Sequence, residues 1–196
     1  MTKAAFTTAP LALLLGLLGM KLGWKPNPDL PWHTALPLWT AAHAAYIIGN
    51  LAMFIVIAHL WSRTRNPISH TAAIAAVIGT TAMTGQMVID LIVGFRANAR
   101  SEMSAISRSI HDLPGFETFF YGVVPALGLA GTAILALVAA AKRQMPPWPA
   151  ATFLVGSVLI GTGITTLMII GGLTSCVALP AMVRPTPREA VSNATH

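Results

Sequence analysis

Charged residues and cysteine are both scarce in this chain of 196 residues. Lys, Arg, Asp and Glu together make up 9% of the sequence, whereas hydrophobic residues make up 55%. Soluble globular domains usually carry about 25% charged residues, so the charge here is too low to cover a water-facing surface. The single cysteine, Cys176, excludes an internal disulfide and a CxxC redox or zinc pair.

Motifs of the common hydrolytic and nucleotide-dependent enzymes are also missing. The sequence contains no GxSxG, P-loop, GxGxxG or HExxH pattern, each of which sets catalytic, metal-binding or phosphate-binding groups at a fixed spacing. Neither a metal nor a cofactor is therefore predicted. The net charge of +6 comes from basic residues scattered at the ends of apolar runs. Because they form no basic face, nucleic acid is not predicted as a partner.

Long apolar runs are what the sequence has in abundance. Since about 20 helical residues cross the hydrocarbon layer of a bilayer, the runs predict an all-α transmembrane bundle of five helices, whose partner is the lipid bilayer. Glycines in the last two runs favour close helix packing, within one chain, in a homo-oligomer or against a membrane partner. The five runs cover residues 4–20, 34–61, 71–95, 116–141 and about 149–179.

The N-terminal run leaves two possibilities open. Residues 1–22 form either an uncleaved first helix or a signal or anchor, and in the second case four helices remain. The uncleaved helix is favoured because no A-x-A pattern closes the run. Residues 23–180 are expected to form the four-helix part of the bundle. The polar tail at 181–196 contains two prolines and is expected to be disordered.

Basic residues around the runs indicate an orientation. With five crossings, Lys3 and the turns at Arg63–Arg65 and Lys142–Arg143 fall on one side, which carries no acidic residue. The positive-inside rule then places the N-terminus in the cytoplasm and the C-terminus outside. The stretch AKRQMPPWPAATFLVGSVLIG, a basic turn with a proline-led restart, resembles small multi-pass membrane proteins of bacteria. This resemblance implies a topology, in a bacterial inner or plasma membrane, and carries over no catalytic residue.

A short amphipathic helix is predicted at about residues 100–111, between the third and fourth runs. Met103, Ile106 and Ile110 recur at steps of three and four, which is typical of one apolar helix face. The remaining positions are mostly polar or basic. Such a helix is expected to lie on the outer membrane interface or over that end of the bundle.

Three polar residues are the candidates for catalysis. His43 lies about 13 Å, Asp90 about 9 Å and Tyr121 about 7 Å from the predicted outer ends of their helices. Polar and charged groups in lipid are costly unless they are satisfied, so Asp90 is expected to pair with His43 in a pocket open to the outside. Pro125 is expected to kink the fourth helix near Tyr121.

Four further polar residues are candidates for ligand binding. Tyr46 and Asn50 share a helical stripe with His43, Gln86 shares one with Asp90, and His111 lies in the predicted outer helix. The competing interpretation is structural, because polar side chains inside a membrane bundle often hold helices together by hydrogen bonds. The sequence alone does not decide between the two.

Three functions remain open at this stage. The favoured one is non-enzymatic: binding, or transport-associated handling, of a small molecule or lipid through an outward-facing polar pocket. The second is a membrane-embedded enzyme acting on a lipid or isoprenoid substrate, with His43 and Asp90 as an acid–base pair. The third is a structural subunit of a larger membrane complex, in which Asp90 pairs with a basic residue of a partner.

Overall fold

The computed structural model describes residues 2–24 and 31–183, and within these ranges the chain is helical with no strand. The predicted all-α helical bundle is confirmed. Residues 25–30 and 184–196, which include most of the predicted polar tail, lie outside the described residues. The helices are α1 (Thr2–Leu18), a π-helix (Gly19–Trp24), α2 (Trp32–Thr64), α3 (Pro67–Arg96), α4 (Arg100–His111), α5 (Phe116–Phe120), α6 (Val123–Ala141), α7 (Pro147–Gly161) and α8 (Thr165–Ala181).

Four stretches of helix are long and apolar enough to cross a membrane: Thr2–Leu22, Trp32–Thr64, Pro67–Arg96 and Phe116–Ala141. Large apolar side chains are exposed on the outside of the bundle, among them Leu15, Ile74, Val155 and Val177. So many large exposed apolar side chains are unfavourable in water and compatible with lipid. The chain therefore fits a membrane-embedded protein.

The last apolar run differs from the single helix predicted for it. α7 and α8 are separated at Thr162–Ile164 and pack against each other as an antiparallel hairpin. Gly163 adopts φ +72° at the tip, a left-handed conformation that glycine tolerates better than other residues. α7 and α8 have 15 and 17 residues, so they extend only about 22 and 25 Å.

The hairpin also changes the direction in which the chain leaves the bundle. Leu179 and Met182 share one buried cluster with Phe6 and Met145, so the described chain returns to the end that carries the basic turns. The predicted outward C-terminus assumed a single crossing by the last run. The tail itself, residues 184–196, lies outside the described residues, but Val183 is at the same end of the bundle as Thr2.

The fourth run is interrupted between α5 and α6. The helix breaks at Tyr121–Gly122. Pro125, which was expected to kink this run, lies four residues after Tyr121. A helical proline clashes with the carbonyl of the fourth residue before it, and for Pro125 that residue is Tyr121. The break places Tyr121 at the junction, where its side chain reaches α3.

Glycines allow α3 and α6 to pack at very short range. A Cβ atom at Gly79 would lie 2.0 Å from the backbone nitrogen of Gly128, and one at Gly131 would lie 2.5 Å from the carbonyl oxygen of Ala72. Gly156 and Gly171 make a similar contact inside the α7–α8 hairpin. These glycines therefore serve packing within the chain, and a homo-oligomer formed through them stays a prediction.

Side-chain hydrogen bonds stabilise the helix ends at the two basic turns. Asn66 caps the start of α3, where its side chain accepts a 2.8 Å hydrogen bond from the backbone nitrogen of Ser69 and so satisfies a free donor. At the end of α2, Lys142 donates to the carbonyl of Thr64, and Gln144 donates to the carbonyl of Arg63 over 2.6 Å. The carbonyls at the end of a helix lack partners of their own, so the α6–α7 turn stabilises the end of α2.

α4 (Arg100–His111) occupies the stretch for which the sequence predicted a short helix. Its Met103 and Ile106 pack against a buried cluster of Trp32, Ala35, Trp39 and Ala97 at the end of the bundle opposite the basic turns. α4 therefore covers part of that end. Its contact with a membrane interface stays a prediction.

Candidate functional site: a polar cluster beside an apolar cavity

Three polar side chains from separate segments meet near the end of the bundle that α4 covers. His43 of α2 places its Nε2 atom 3.6 Å from the Oδ2 atom of Asp90 on α3. The Tyr121 hydroxyl donates a hydrogen bond to Oδ1 of Asp90. The His43 side chain is 2% exposed and the Asp90 side chain 19% exposed. The residues that the sequence singled out for catalysis are therefore in one cluster, although a catalytic role for them stays a prediction.

Aromatic packing fixes the position of His43. The Trp39 ring lies one helical turn away, with its centroid 4.2 Å from that of the imidazole. Trp32 donates a 3.1 Å hydrogen bond to the carbonyl of Gly94 on α3. A Cβ atom at Gly94 would lie 2.6 Å from Nε1 of Trp39, so the absence of a side chain there lets α2 and α3 approach closely. The approach of the two helices brings His43 within reach of Asp90.

Backbone contacts determine which nitrogen of His43 carries a proton. Nδ1 lies 2.8 Å from the carbonyl oxygen of Trp39. A carbonyl oxygen only accepts hydrogen bonds, so Nδ1 is the donor. The other ring nitrogen, Nε2, is directed at Asp90. This arrangement fixes the tautomer and leaves Nε2 as the atom that faces the carboxylate.

A cavity of about 310 Å³ adjoins the cluster between α1, α2, α3, α6 and the α7–α8 hairpin. Its lining is mostly apolar and includes methionines from four segments of the chain. Polar lining is contributed mainly by α2 and α3. Its polar lining residues are Lys21, His43, Tyr46, Gln86, Asp90 and Ser175, and its methionines are Met20, Met53, Met83, Met87 and Met168.

The cavity is polar at one end and apolar at the other. On α2 and α3, the lining residues nearest the end that α4 covers are His43 and Asp90. The lining residues toward the basic turns are apolar, with Met53 on α2, Phe153 on α7 and Leu179 on α8.

The other predicted binding residues divide into two groups. Tyr46 and Gln86 line the cavity beside the cluster. Among the described lining residues, neither Asn50 nor His111 is present. Asn50 is buried on α2 and its Nδ2 atom has no hydrogen-bond partner. His111 instead packs its ring on Tyr121, with centroids 4.3 Å apart, so it contacts the cluster from the side of α4.

The methionines are the cavity residues that the sequence analysis missed. Gln86, Met87 and Asp90 follow Met83 by three, four and seven residues, so all four side chains lie on one face of α3. That signal was available, but an apolar methionine on a membrane helix does not stand out from its neighbours. Methionine is flexible and fills irregular space, and it is common on surfaces that accept varied apolar ligands.

Tyr121→Phe tests the contribution of the tyrosine hydroxyl. The variant is expected to lower the free energy of unfolding by about 1 kcal/mol, since it removes one hydrogen bond to a carboxylate within the bundle. Unfolding by SDS titration in mixed micelles is the measurement. Tyr46→Phe is the matched control, because Tyr46 is the chain's other tyrosine and lies outside the cluster. An equal loss in the two variants would contradict a specific role for the Tyr121 contact.

Comparison with known proteins adds no functional assignment. No family model, curated protein or solved structure matches the chain. The cavity and the polar cluster are therefore the observations from which a function has to be inferred.

Proposed function

We propose that this chain is a multi-pass membrane protein that binds a small lipid-like molecule in its cavity. The observation that carries the proposal is the cavity's two-sided lining, with His43 and Asp90 nearest one end and Met53, Phe153 and Leu179 toward the other. Ligand sites are commonly apolar clefts in which a few polar groups orient the ligand. An amphipathic molecule would place its head beside Asp90 and its apolar part among the methionines.

The size of the cavity limits the ligand. Pockets for small molecules usually measure about 300–1,000 Å³, and this one, at about 310 Å³, is at the lower end. It has room for one short apolar chain rather than for a phospholipid with two full chains. The proposed ligand is therefore a small molecule with one polar head and a single apolar chain.

The membrane orientation is part of the proposal. The basic turns at Arg63–Arg65 and Lys142–Arg143 are placed in the cytoplasm, because positive loops are retained there. The polar end of the cavity then faces the outer half of a bacterial inner or plasma membrane. In this arrangement Val183 is at the cytoplasmic end, which differs from the outward C-terminus expected from the sequence.

Binding is favoured over catalysis because the polar groups are already engaged. Nδ1 of His43 donates to a backbone carbonyl and Nε2 faces Asp90. Oδ1 of Asp90 accepts from Tyr121. A general base needs a free acceptor within reach of a substrate proton, and this cluster directs most of its atoms at one another. The subunit alternative required Asp90 to point out of the bundle, whereas it lines the internal cavity.

Met87→Trp tests the proposal by filling the cavity. Wild-type protein in lipid nanodiscs is expected to carry a co-purified small lipid-like molecule that native mass spectrometry detects as added mass. The larger indole at position 87 is expected to exclude it. Val88→Trp is the matched control, since Val88 is 41% exposed on the outside of the same helix. It should retain the ligand.

Met168→Phe provides a second, milder obstruction from the opposite wall on α8. Both cavity variants are expected to keep the helical circular dichroism spectrum of the wild type while losing the bound mass. Equal occupancy in the wild type and in both folded cavity variants would contradict ligand binding at this place.

A further inference from the structure

The two basic turns form one positively charged patch at the end of the bundle opposite α4. Hydrogen bonds from the side chains of Lys142 and Gln144 to the last carbonyls of α2 hold the turns together. Arg143 lies between these two donors in the chain, and Arg65 directly follows the carbonyls that they contact. The contacts therefore bring the two arginines to neighbouring positions. The basic patch consists of Arg63, Arg65, Lys142 and Arg143.

No acidic residue of the described ranges compensates the charge of the basic patch. The acidic residues that the structure describes all lie in the half of the bundle toward α4, and they are Asp90, Glu102, Asp112 and Glu117. The side chains of Arg65, Lys142 and Arg143 are exposed. Within the described part of the chain, neither the Arg65 nor the Arg143 guanidinium group has a hydrogen bond or an ion pair. The patch is therefore an accessible concentration of positive charge that attracts anions.

Both turns hold an arginine in a backbone conformation that disfavours any residue with a Cβ atom. Arg65 has φ +29° and Arg143 has φ +59°, and each lies at the end of a helix, where glycine is the usual residue in this conformation. At the other end of the bundle, positive φ angles occur at glycines, Gly115 and Gly163. Backbone preference therefore does not explain the two arginines, and their side chains have to provide the reason.

Exposed tryptophans beside the basic patch are typical of the level of lipid headgroups. Trp61 near the end of α2 is 39% exposed, and Trp148 at the start of α7 is 49% exposed. Trp61 donates a 3.2 Å hydrogen bond to Nδ1 of His70, which holds its ring across the α2–α3 turn. Tryptophan is enriched at the boundary between hydrocarbon and headgroups. The patch thus lies where a headgroup, rather than a soluble anion, is the abundant negative group.

We propose that the basic patch binds the headgroup of an anionic phospholipid. The phosphodiester oxygens accept hydrogen bonds from the guanidinium groups of Arg65 and Arg143, whose planar donor pairs match a phosphate. The acyl chains lie along Trp61 and the exposed Ile68. A zwitterionic headgroup has the same phosphate but adds a positive charge beside the patch, so it binds more weakly. The site is separate from the cavity and does not depend on the ligand proposed there.

Lipid retention on protein released from nanodiscs tests the proposal. The nanodiscs contain equal amounts of phosphatidylglycerol and phosphatidylcholine with identical acyl chains, and native mass spectrometry counts the lipids that stay bound. Wild-type protein is expected to retain phosphatidylglycerol about tenfold over phosphatidylcholine, because the attraction between two arginines and one anionic headgroup is of that order.

Arg65→Gly combined with Arg143→Gly is expected to abolish this enrichment. Glycine fits both left-handed positions, so the double variant should unfold close to the wild-type midpoint temperature in nanodiscs of phosphatidylcholine alone. Arg96→Gln combined with Arg108→Gln is the matched control, because it removes the same charge from exposed positions at the opposite end of the bundle. The control is expected to keep the enrichment.

Equal retention of the two lipids by the wild type would overturn the proposal, and so would an enrichment that persists without Arg65 and Arg143. An equal loss in both double variants would attribute the enrichment to net charge and would also refute a site at the patch. Met87→Trp is expected to keep the enrichment, because the patch lies outside the cavity. A loss of phosphatidylglycerol in Met87→Trp would place this lipid in the cavity and contradict the patch.

Discussion

Gly79→Ala is expected to destabilise the bundle by about 3 kcal/mol, near the upper range for overpacking a tight interior. The added methyl group would lie 2.0 Å from the backbone nitrogen and 2.7 Å from the Cα atom of Gly128. Backbone atoms of a neighbouring helix cannot rotate away, so α3 and α6 would have to separate. The free energy of unfolding in mixed micelles measures the effect.

Two further glycines provide a graded control. A Cβ atom at Gly85, on the same helix, would meet the Phe120 ring at 2.7 Å, and a side chain at the end of α5 can shift. Gly85→Ala is therefore expected to cost about 1 kcal/mol. Gly161→Ala meets no atom within 4 Å and should change stability by less than about 0.5 kcal/mol. Equal effects at all three positions would contradict the close α3–α6 packing.

Asp90→Leu has the second large expected effect, a loss of about 2 kcal/mol in the free energy of unfolding. The substitution removes the acceptor of the Tyr121 hydroxyl and the carboxylate that faces Nε2 of buried His43, and an unsatisfied buried group costs about 1–3 kcal/mol. The expected loss lies within this range and not above it because the Asp90 side chain is 19% exposed. SDS titration of the purified variant in mixed micelles is the measurement.

Asp112→Leu is the matched control for this variant. Asp112 is an exposed carboxylate at the end of α4, and its replacement is expected to change stability by less than about 0.5 kcal/mol. Asp90→Asn is expected to fall between the two, since its amide oxygen still accepts from Tyr121. If Asp90→Leu were as stable as Asp112→Leu, the polar cluster would not contribute to folding.

Much of the fold could be predicted because a bilayer restricts the choice of structure. Backbone groups in lipid must pair within their own segment, so each long apolar run becomes a helix. The amphipathic spacing of Met103, Ile106 and Ile110 likewise predicted α4. The contact between His43 and Asp90 followed from their depths and helical stripes, because polar groups at one depth in lipid lower their free energy by meeting.

The hairpin could not be predicted from hydropathy alone. Residues 149–179 carry no charged side chain, and an uncharged, mainly apolar run of this length is compatible with one tilted helix or with two short ones. The turn is formed where Gly161 and Gly163 flank Thr162. Gly156 and Gly171 then permit α7 and α8 to approach each other closely. Glycine is frequent in membrane helices for several reasons, so these positions did not distinguish a turn from a packing site.

The cavity lies beyond sequence reasoning for a related reason. The cavity results from the way in which α1, α2, α3, α6 and the hairpin are arranged around it. The sequence of any one helix therefore does not predict it. The stripe of Met83, Gln86, Met87 and Asp90 shows which face of α3 is special. It does not show whether that face meets a neighbouring helix or a space large enough for a ligand.

The return of the chain at α8 makes this protein a candidate for circular permutation. Thr2 and Val183 lie at the same end of the bundle, so a flexible linker could join them at that end. New ends opened at Gly115, which has φ +75° and no atom within 4 Å of its would-be Cβ, would emerge at the opposite end. The rearranged chain would keep every helix of the described structure intact while presenting both termini at the opposite end of the bundle.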